Sequence, residues 1–347
     1  MDDSIHGKRD KRGNWTPFKT IEYAPVFVWP AQPKAFVKWL FGYPGFFLPW
    51  NLLYAGVGVV LWFYLTPSME TMRTFSVGWI AFIFARNVVI VAIFYGWFHS
   101  RLYTQKKQQT AFKFNGQWPS TNNDAFLFRN QNIDNLIWTF ASGVPIWTAY
   151  EVLTLYMFAN GYIPFAGWLD NSWYFVALML AIPVFREVHF YLVHRLIHWP
   201  PLYRTVHKLH HNNVNPGPWS GLAMHPVEHL LYFSGVLIHW IIPSHPIHAL
   251  FHLTHAALAP APSHVGFDQV VVGDKLVEMP CYDHYLHHKY FECNYSEGII
   301  PLDKWFGSFH DGSRESEDRM NERFLAQARK RARLQEKREI RSKPRQG

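Results

Sequence analysis

Residues 173–211 read WYFVALMLAIPVFREVHFYLVHRLIHWPPLYRTVHKLHH. The stretch is apolar and uncharged as far as Phe185, then turns into REVHFYLVHR and places five histidines between His194 and His211. His194 and His198 are four apart, as are His207 and His211, and His210 fills the three-apart position. On an α-helix, residues three and four apart share a face. Each group can therefore aim its imidazoles at one point, as a metal site requires. A membrane-like helix running directly into a histidine motif is the element around which the rest of the chain is read.

The composition agrees with lipid surroundings. Of 347 residues, 49% are hydrophobic and 18% aromatic, while only 17% are charged, against an ordinary charged share of about 25%. Aromatic residues are concentrated at bilayer interfaces. The mean hydropathy of −0.11 averages unlike regions, so the local runs decide. Cys281 and Cys293 form no CxxC pair, which disfavours a disulfide scaffold or a thiolate zinc site. The polar start, MDDSIHGKRDKRGNW, does not read as a secretory signal.

Residues 1–38 form a basic N-terminal segment, expected on the cytoplasmic side. From Trp39 to Ser68 no charge occurs, and FFLPWNLLYAGVGVVLWFYL is long enough to span a bilayer. A second span is expected over Phe75 to Phe98, where Arg86 must face protein or water because an arginine in lipid is costly. A third runs from Leu136 to Phe158 with Glu151 near its end, and the fourth from Trp173 to His194. His229 to Phe267 is again uncharged but is broken by PSHP at Pro243–Pro246. Each half, at about 12 residues, gives about 18 Å of helix, short of the roughly 30 Å hydrocarbon core. A half-depth helical hairpin is the expectation.

With the N-terminus inside, Arg101, Lys106, Lys107 and Lys113 follow span two, and the loop GYIPFAGWLDNS after span three holds no Lys or Arg. Arg186, Arg195, Arg204 and Lys208 then return to the cytoplasmic face. Residues 314–347 carry twelve Lys or Arg against six Asp or Glu, a basic tail read through the positive-inside rule or anionic lipid rather than nucleic acid. The expected fold is an all-α integral membrane protein. It has about four transmembrane helices, a half-depth hairpin, and a cytoplasmic histidine-rich cap holding a dinuclear metal site. The expected divisions are 1–38, a membrane and loop region at 39–134, a catalytic domain at 135–310 and the basic tail at 311–347.

Further motifs are HPVEH (His225, His229), SHVGFD (His264) and DHYLHH (His284, His287, His288). One buried histidine is ordinary; this recurrence is not, and neutral imidazole is the commonest metal ligand. One metal takes about four to six ligands, so ten or so histidines suit two. An all-nitrogen set suits Fe, Zn or Cu by ligand type. A closed structural zinc site needs only four ligands, so a dinuclear catalytic centre is favoured. In a membrane, such a centre suggests attack on a lipid, and inert C–H bonds call for activated oxygen, which redox-inert zinc does not supply.

HRLIH, HKLHH and HYLHH, with HPVE and SHVGFD between and YSEGIIPLDKWFG after, resemble the sterol desaturase / fatty acid hydroxylase superfamily over roughly residues 135 to 310. The resemblance implies a non-haem di-iron monooxygenase or desaturase that uses O2 and an external electron-transfer protein on sterols, acyl chains or related lipids. Zinc on purification remains compatible with it. Position by position it implies His194, His198, His207, His210, His211, His264, His284, His287 and His288 as ligands. His229 is a tenth candidate, and His225 competes with it. Glu187, Glu228 and Asp283 are candidates to orient ligands, and His189 for a cavity or outer role. Val265 stands where the family usually has Ser. Asp303 and Trp305 are expected to pack the end of the domain, and His245, His248, His252 and His255 to form a polar seam.

No haem, flavin or G-x-G-x-x-G signature occurs, so electrons come from another protein, with the basic face as a docking surface. Whether an alcohol or an alkene results, and on which carbon, is left open; the HxxxH spacing leans toward the sterol-type branch. Two other classes stand beside this reading. A metal transporter would favour ligands inside the spans, and a zinc lipid hydrolase would need neither O2 nor reductant. The membrane is the endoplasmic reticulum or a bacterial inner membrane.

Overall fold

In the computed structural model, which describes residues 2–342, helices dominate. Three among the described residues are long and apolar enough to cross a membrane: Phe47–Tyr64, Val77–Thr104 and Ser172–Ile197. The first ends in helix α2 (Leu52–Tyr64), which follows the short α1 (Pro33–Phe41), and the second is mainly α3 (Val77–His99). The segment expected as a third span is helical too. It is built from α4 (Gln131–Trp138), a wide turn at Thr139–Gly143 and α5 (Val144–Ala159), but is absent from those three. Thr139, Ser142, Thr148, Glu151 and Thr154 dilute its hydropathy, and all five are buried against protein.

Arg86 faces the bundle, as its cost in lipid demands. Its guanidinium pairs with Glu151, whose other oxygen accepts from Asn87 Nδ2 at 3.0 Å, and Asn87 also donates to Thr148. This buried cluster fastens α3 to α5.

Helix α6 (Ser172–Ile197) is started by Asn171, whose side chain accepts from the Tyr174 N–H. It stops at the Trp199-Pro200-Pro201 sequence, because a residue before proline is pushed out of the helical region. The chain turns through Pro200–Leu202 and a wide helical turn at Tyr203–His207 into the single-turn α7 (Lys208–His211).

The broken hairpin consists of α8 (Pro226–Phe233), a tighter turn at Ser234–Trp240, and α9 (Pro246–Leu258). All thirteen residues of α9 are buried. It lies against α2, α5 and α6, and a Cβ on Gly58 of α2 would come within 3.0 Å of the Phe251 backbone. Glycine makes that approach without displacing the facing backbone.

The all-α expectation needs one correction. Two short antiparallel hairpins occur, β1 (Gly7–Arg9) with β2 (Trp15–Pro17), and β3 (Gln269–Val272) with β4 (Lys275–Glu278). The first carries Trp15 onto Phe112 at 5.5 Å; the second turns at Gly273, whose φ of 61° suits glycine. Helix α10 (Tyr282–Tyr290) and the long α11 (Arg314–Ser342) complete the chain. Of the basic tail, residues 343–347 lie outside the described residues.

Candidate metal centre

Nine histidines meet in two groups, with one ring nitrogen from each lying within 4.8 Å of the others in its group. His194, His198, His207, His211 and His287 make the first; His210, His264, His284 and His288 make the second. Consecutive helical residues point about 100° apart, which explains the division. In HKLHH, the i,i+4 pair His207 and His211 serves the first group while His210 turns to the second. In HYLHH the sense reverses, with His284 and His288 in the second group and His287 in the first. Each HxxHH motif therefore reaches both groups.

The surroundings set the tautomers. His194 Nδ1 lies 2.8 Å from the Tyr295 carbonyl, His287 Nδ1 2.6 Å from that of Cys293, and His264 Nδ1 2.9 Å from that of Pro260. His210 Nδ1 is 3.3 Å from the Ala223 carbonyl, and His207 Nδ1 is 2.7 Å from Glu228 Oε1. A carbonyl oxygen only accepts, so the Nδ1 atoms facing carbonyls carry the proton, and their Nε2 lone pairs point inward. Yet His210 and His264 bring their Nε2 atoms to 3.3 Å. Two lone pairs at that distance repel unless a cation lies between them.

The remaining spacings tell the same way. In the first group Nε2 atoms approach at 3.2 Å (His198–His287), 3.1 Å (His207–His198) and 3.0 Å (His287–His211). In the second they approach at 2.9 Å (His284–His264) and 3.2 Å (His288–His284). Metal–nitrogen bonds of about 2.0–2.1 Å would put neighbouring ligand atoms about 2.9–3.4 Å apart. Burial first, then neighbouring imidazoles, keep the rings neutral: protonation of His198 is pushed down to about 2, and burial takes His210 down to about 3. The donor set fits two cations.

Two cavities reach the groups. One, of about 20 Å³, is lined by His194 and His207 of the first group and His210, His264 and His284 of the second. Such a space admits about one water-sized molecule. The other, of about 200 Å³, is lined by Trp39, Phe46, Trp50 and Tyr54 of the α1–α2 region and by His284 and Glu297, among others.

Residues 179–308 match the fatty acid hydroxylase family. Among curated proteins, a Delta(7)-sterol 5(6)-desaturase (ERG3B) of Gibberella zeae is 32% identical over 148 residues, covering 41% of this chain and 43% of its own length. One from Aspergillus fumigatus (erg3C) is 31% identical over 164 residues, 41% of this chain and 50% of its own, and the Saccharomyces cerevisiae ERG3 desaturase is 31% identical over 132 residues, 36% and 34%. The sterol desaturase / fatty acid hydroxylase resemblance stands. The chain spans half or less of the length of these relatives. No solved structure matches it.

The two other histidines expected as ligands lie outside the groups. His225 and His229 belong to neither group. Pro226 opens α8, so His225 sits outside the helix as its N-cap and accepts from the Val227 N–H. His229 has Nδ1 2.9 Å from Ser142 Oγ and Nε2 3.2 Å from the Leu222 carbonyl. Of the candidate orienting groups, Glu228 touches an imidazole. Glu187 instead accepts from the Ile299 and Ile300 N–H groups, Asp283 accepts from the His284 N–H, and His189 contacts Ser234 Oγ at 3.1 Å.

The hairpin histidines also lie outside the groups. His245 caps α9, His252 Nδ1 lies 3.2 Å from His239 Nε2, and His255 stacks on Tyr54 at 4.9 Å. Asp303 is buried and accepts from the Tyr295 and Ser296 N–H groups, so it shapes the loop whose Tyr295 carbonyl holds His194. Trp305 is 61% exposed and stands edge-on to Phe27, so it does not pack the domain end as expected. The sequence reading missed the carbonyls of Ala223, Cys293 and Tyr295, which no side-chain motif announces. It also missed Glu297, whose signal was an isolated acid within YSEGII.

Proposed function

We propose that this chain is a membrane-embedded oxidoreductase that hydroxylates or desaturates a lipid of sterol or fatty-acyl type. It would use two iron ions, O2 and electrons from a separate carrier protein. The observation that carries this reading is the pair of thiolate-free histidine groups beside one small cavity, with a second cavity of about 200 Å³ lined by one of their members. The nine grouped histidines are the proposed ligands, and Glu228 the residue that orients His207. Bound iron supplies the redox chemistry that O2 activation needs and that zinc lacks.

The protein groups have separate tasks. Backbone carbonyls hold the Nδ1 protons and keep Nε2 available. Phe190, Val193, Ile197 and Met224 line the smaller cavity beside the imidazoles and restrict water there. The larger cavity positions the lipid against His284. The proposed arrangement keeps the metal groups at the cytoplasmic face of the endoplasmic reticulum or a bacterial inner membrane, within a catalytic unit over residues 135–310.

The test is iron-loaded, full-length protein in lipid membranes, given a reductant and either a Δ7-sterol or a long-chain acyl lipid, with and without O2. Product that has lost two hydrogens or gained one oxygen, formed only with both O2 and reductant, is expected. Turnover without O2, or no product from iron-loaded protein on either lipid, would overturn the proposal.

A further inference from the structure

Arg186 and Glu297 form an ion pair that the metal groups do not use. Arg186 lies on α6, two turns before His194, with its side chain 3% exposed. Its guanidinium forks onto both oxygens of Glu297, the Nη2–Oε1 distance being 2.9 Å, and donates to Tyr232 Oη at 2.8 Å. Tyr232 in turn donates to the Ala256 carbonyl at 2.8 Å. Arg186 is thus held from two sides, and Glu297 is aimed by it.

Unlike its partner, the Glu297 side chain remains 25% exposed. It faces cavities. Glu297 lines the small cavity between the histidine groups, the cavity of about 200 Å³, and a third of about 470 Å³ beside Lys19, Glu278 and Asp283. Among the described residues no other lines all three. The cavity of about 200 Å³ has walls of both kinds. Trp39, Phe46 and Trp50 supply apolar surface, Asn51 and Tyr54 add polar groups beside them, and Ser263, His284 and Glu297 are polar members from other elements. A cavity that joins apolar wall to a few polar groups suits an amphiphile.

From these observations we propose that Glu297, braced by Arg186, is the hydrogen-bond acceptor for the hydroxyl of a neutral, alcohol-bearing lipid. This assignment rests on the lipid-oxidising reading above. Each carboxylate oxygen has more than one lone pair, so Glu297 keeps acceptor capacity after receiving the Arg186 fork. The pair is neutral as a unit. A carboxylate or phosphate head would face the Glu297 carboxylate, whereas an alcohol finds an acceptor. His284 borders the same two cavities as Glu297. The oxidised carbon therefore lies a few bonds from the hydroxyl, not at the far end of the tail.

The experiment measures binding of a tritiated Δ7-sterol alcohol, its 3-O-methyl ether and a free long-chain fatty acid to the full-length protein in detergent. Wild type, Glu297→Gln and Glu297→Ala are compared. The ether cannot donate a hydrogen bond, so wild type should prefer the alcohol on the order of tenfold or more. Glu297→Ala should lose that preference while binding the ether as wild type does. Glu297→Gln, which keeps an amide oxygen and the side-chain shape, should retain a smaller preference and bind the fatty acid more tightly than wild type.

Equal binding of alcohol and ether by wild type overturns the proposal. So does a preference that survives in both variants, or a uniform loss across all three ligands. Binding needs no turnover, so alcohol preference without oxidation products would sink the oxidoreductase reading alone. Oxidation products from a protein indifferent to the hydroxyl would sink this assignment alone.

Discussion

Replacing Glu228 by Ala removes the acceptor of the His207 Nδ1 proton. The two atoms are 2.7 Å apart, and their side chains are only 1% and 4% exposed, so water does not take over the bond. A buried donor left unpaired costs about 1–3 kcal/mol. The imidazole also becomes a poorer and less constrained ligand, an effect worth about 10–100-fold in metal affinity. The two figures agree, since tenfold corresponds to about 1.4 kcal/mol. Competition with an iron chelator of known affinity, on purified full-length protein, measures the change directly. Glu187→Gln is the matched control. Its carboxylate is also buried, but it bonds the Ile299 and Ile300 N–H groups and no imidazole. That variant should lose folding stability and keep its metal affinity. A Glu228→Ala protein within twofold of wild type, or a Glu187→Gln protein equally impaired, would refute the assignment of His207 to the first metal.

Three further outcomes are expected. Unfolding takes up protons near pH 6.5 that half-buried His198 and buried His210 refuse until about 2 and 3. Chelator-stripped protein should therefore lose stability as pH falls below about 6.5, by about 1.4 kcal/mol per such histidine at pH 5.5, while loaded protein resists until protons displace the metal; thermal unfolding flat from pH 8 to 5 would contradict this. Arg86→Leu alone leaves Glu151 buried without its cation and should cost about 3–5 kcal/mol in detergent unfolding, with much of the loss recovered in the Arg86→Leu, Glu151→Leu double variant. Gly58→Ala should destabilise by about 1–3 kcal/mol because its Cβ meets the Phe251 backbone; Gly56→Ala, with nothing within 4 Å of its Cβ, should not, and equal melting of the two variants would exclude the close α2–α9 contact as its cause.

Helical spacing alone grouped eight of the histidines, because one-turn relations survive folding, while lone His264 entered only through the family resemblance. The nine that the resemblance implied are the nine that the fold brings together. Their division between groups was not legible. It depends on His210 and His211, and likewise His287 and His288, pointing in different directions from adjacent backbone positions. HPVEH has the HxxxH spacing, yet proline at the first helical position leaves His225 outside the turn, and neither of its histidines joins the two groups.

The long apolar runs coincide with the three helices long and apolar enough to cross a membrane, whereas 136–158 mixed lipid-like residues with Thr, Ser and Glu that turn inward. Arg86 and Glu151 were visible as costly charges; that they pay for each other required the fold to set α3 beside α5. The short β-hairpins went unseen because three- and four-residue strands carry little periodic signal. Glu297 gained meaning only when cavities met around it.

The most direct measurement is elemental analysis of the full-length protein purified from iron-supplemented cells, coupled to assay of that same sample with lipid, reductant and O2. Two iron atoms per chain should be found. Combined His207→Ala and His211→Ala substitution should reduce that to one, with loss of the O2-dependent lipid product. No bound metal, or zinc alone supporting turnover in the absence of O2, would contradict a pair of iron sites serving lipid oxidation.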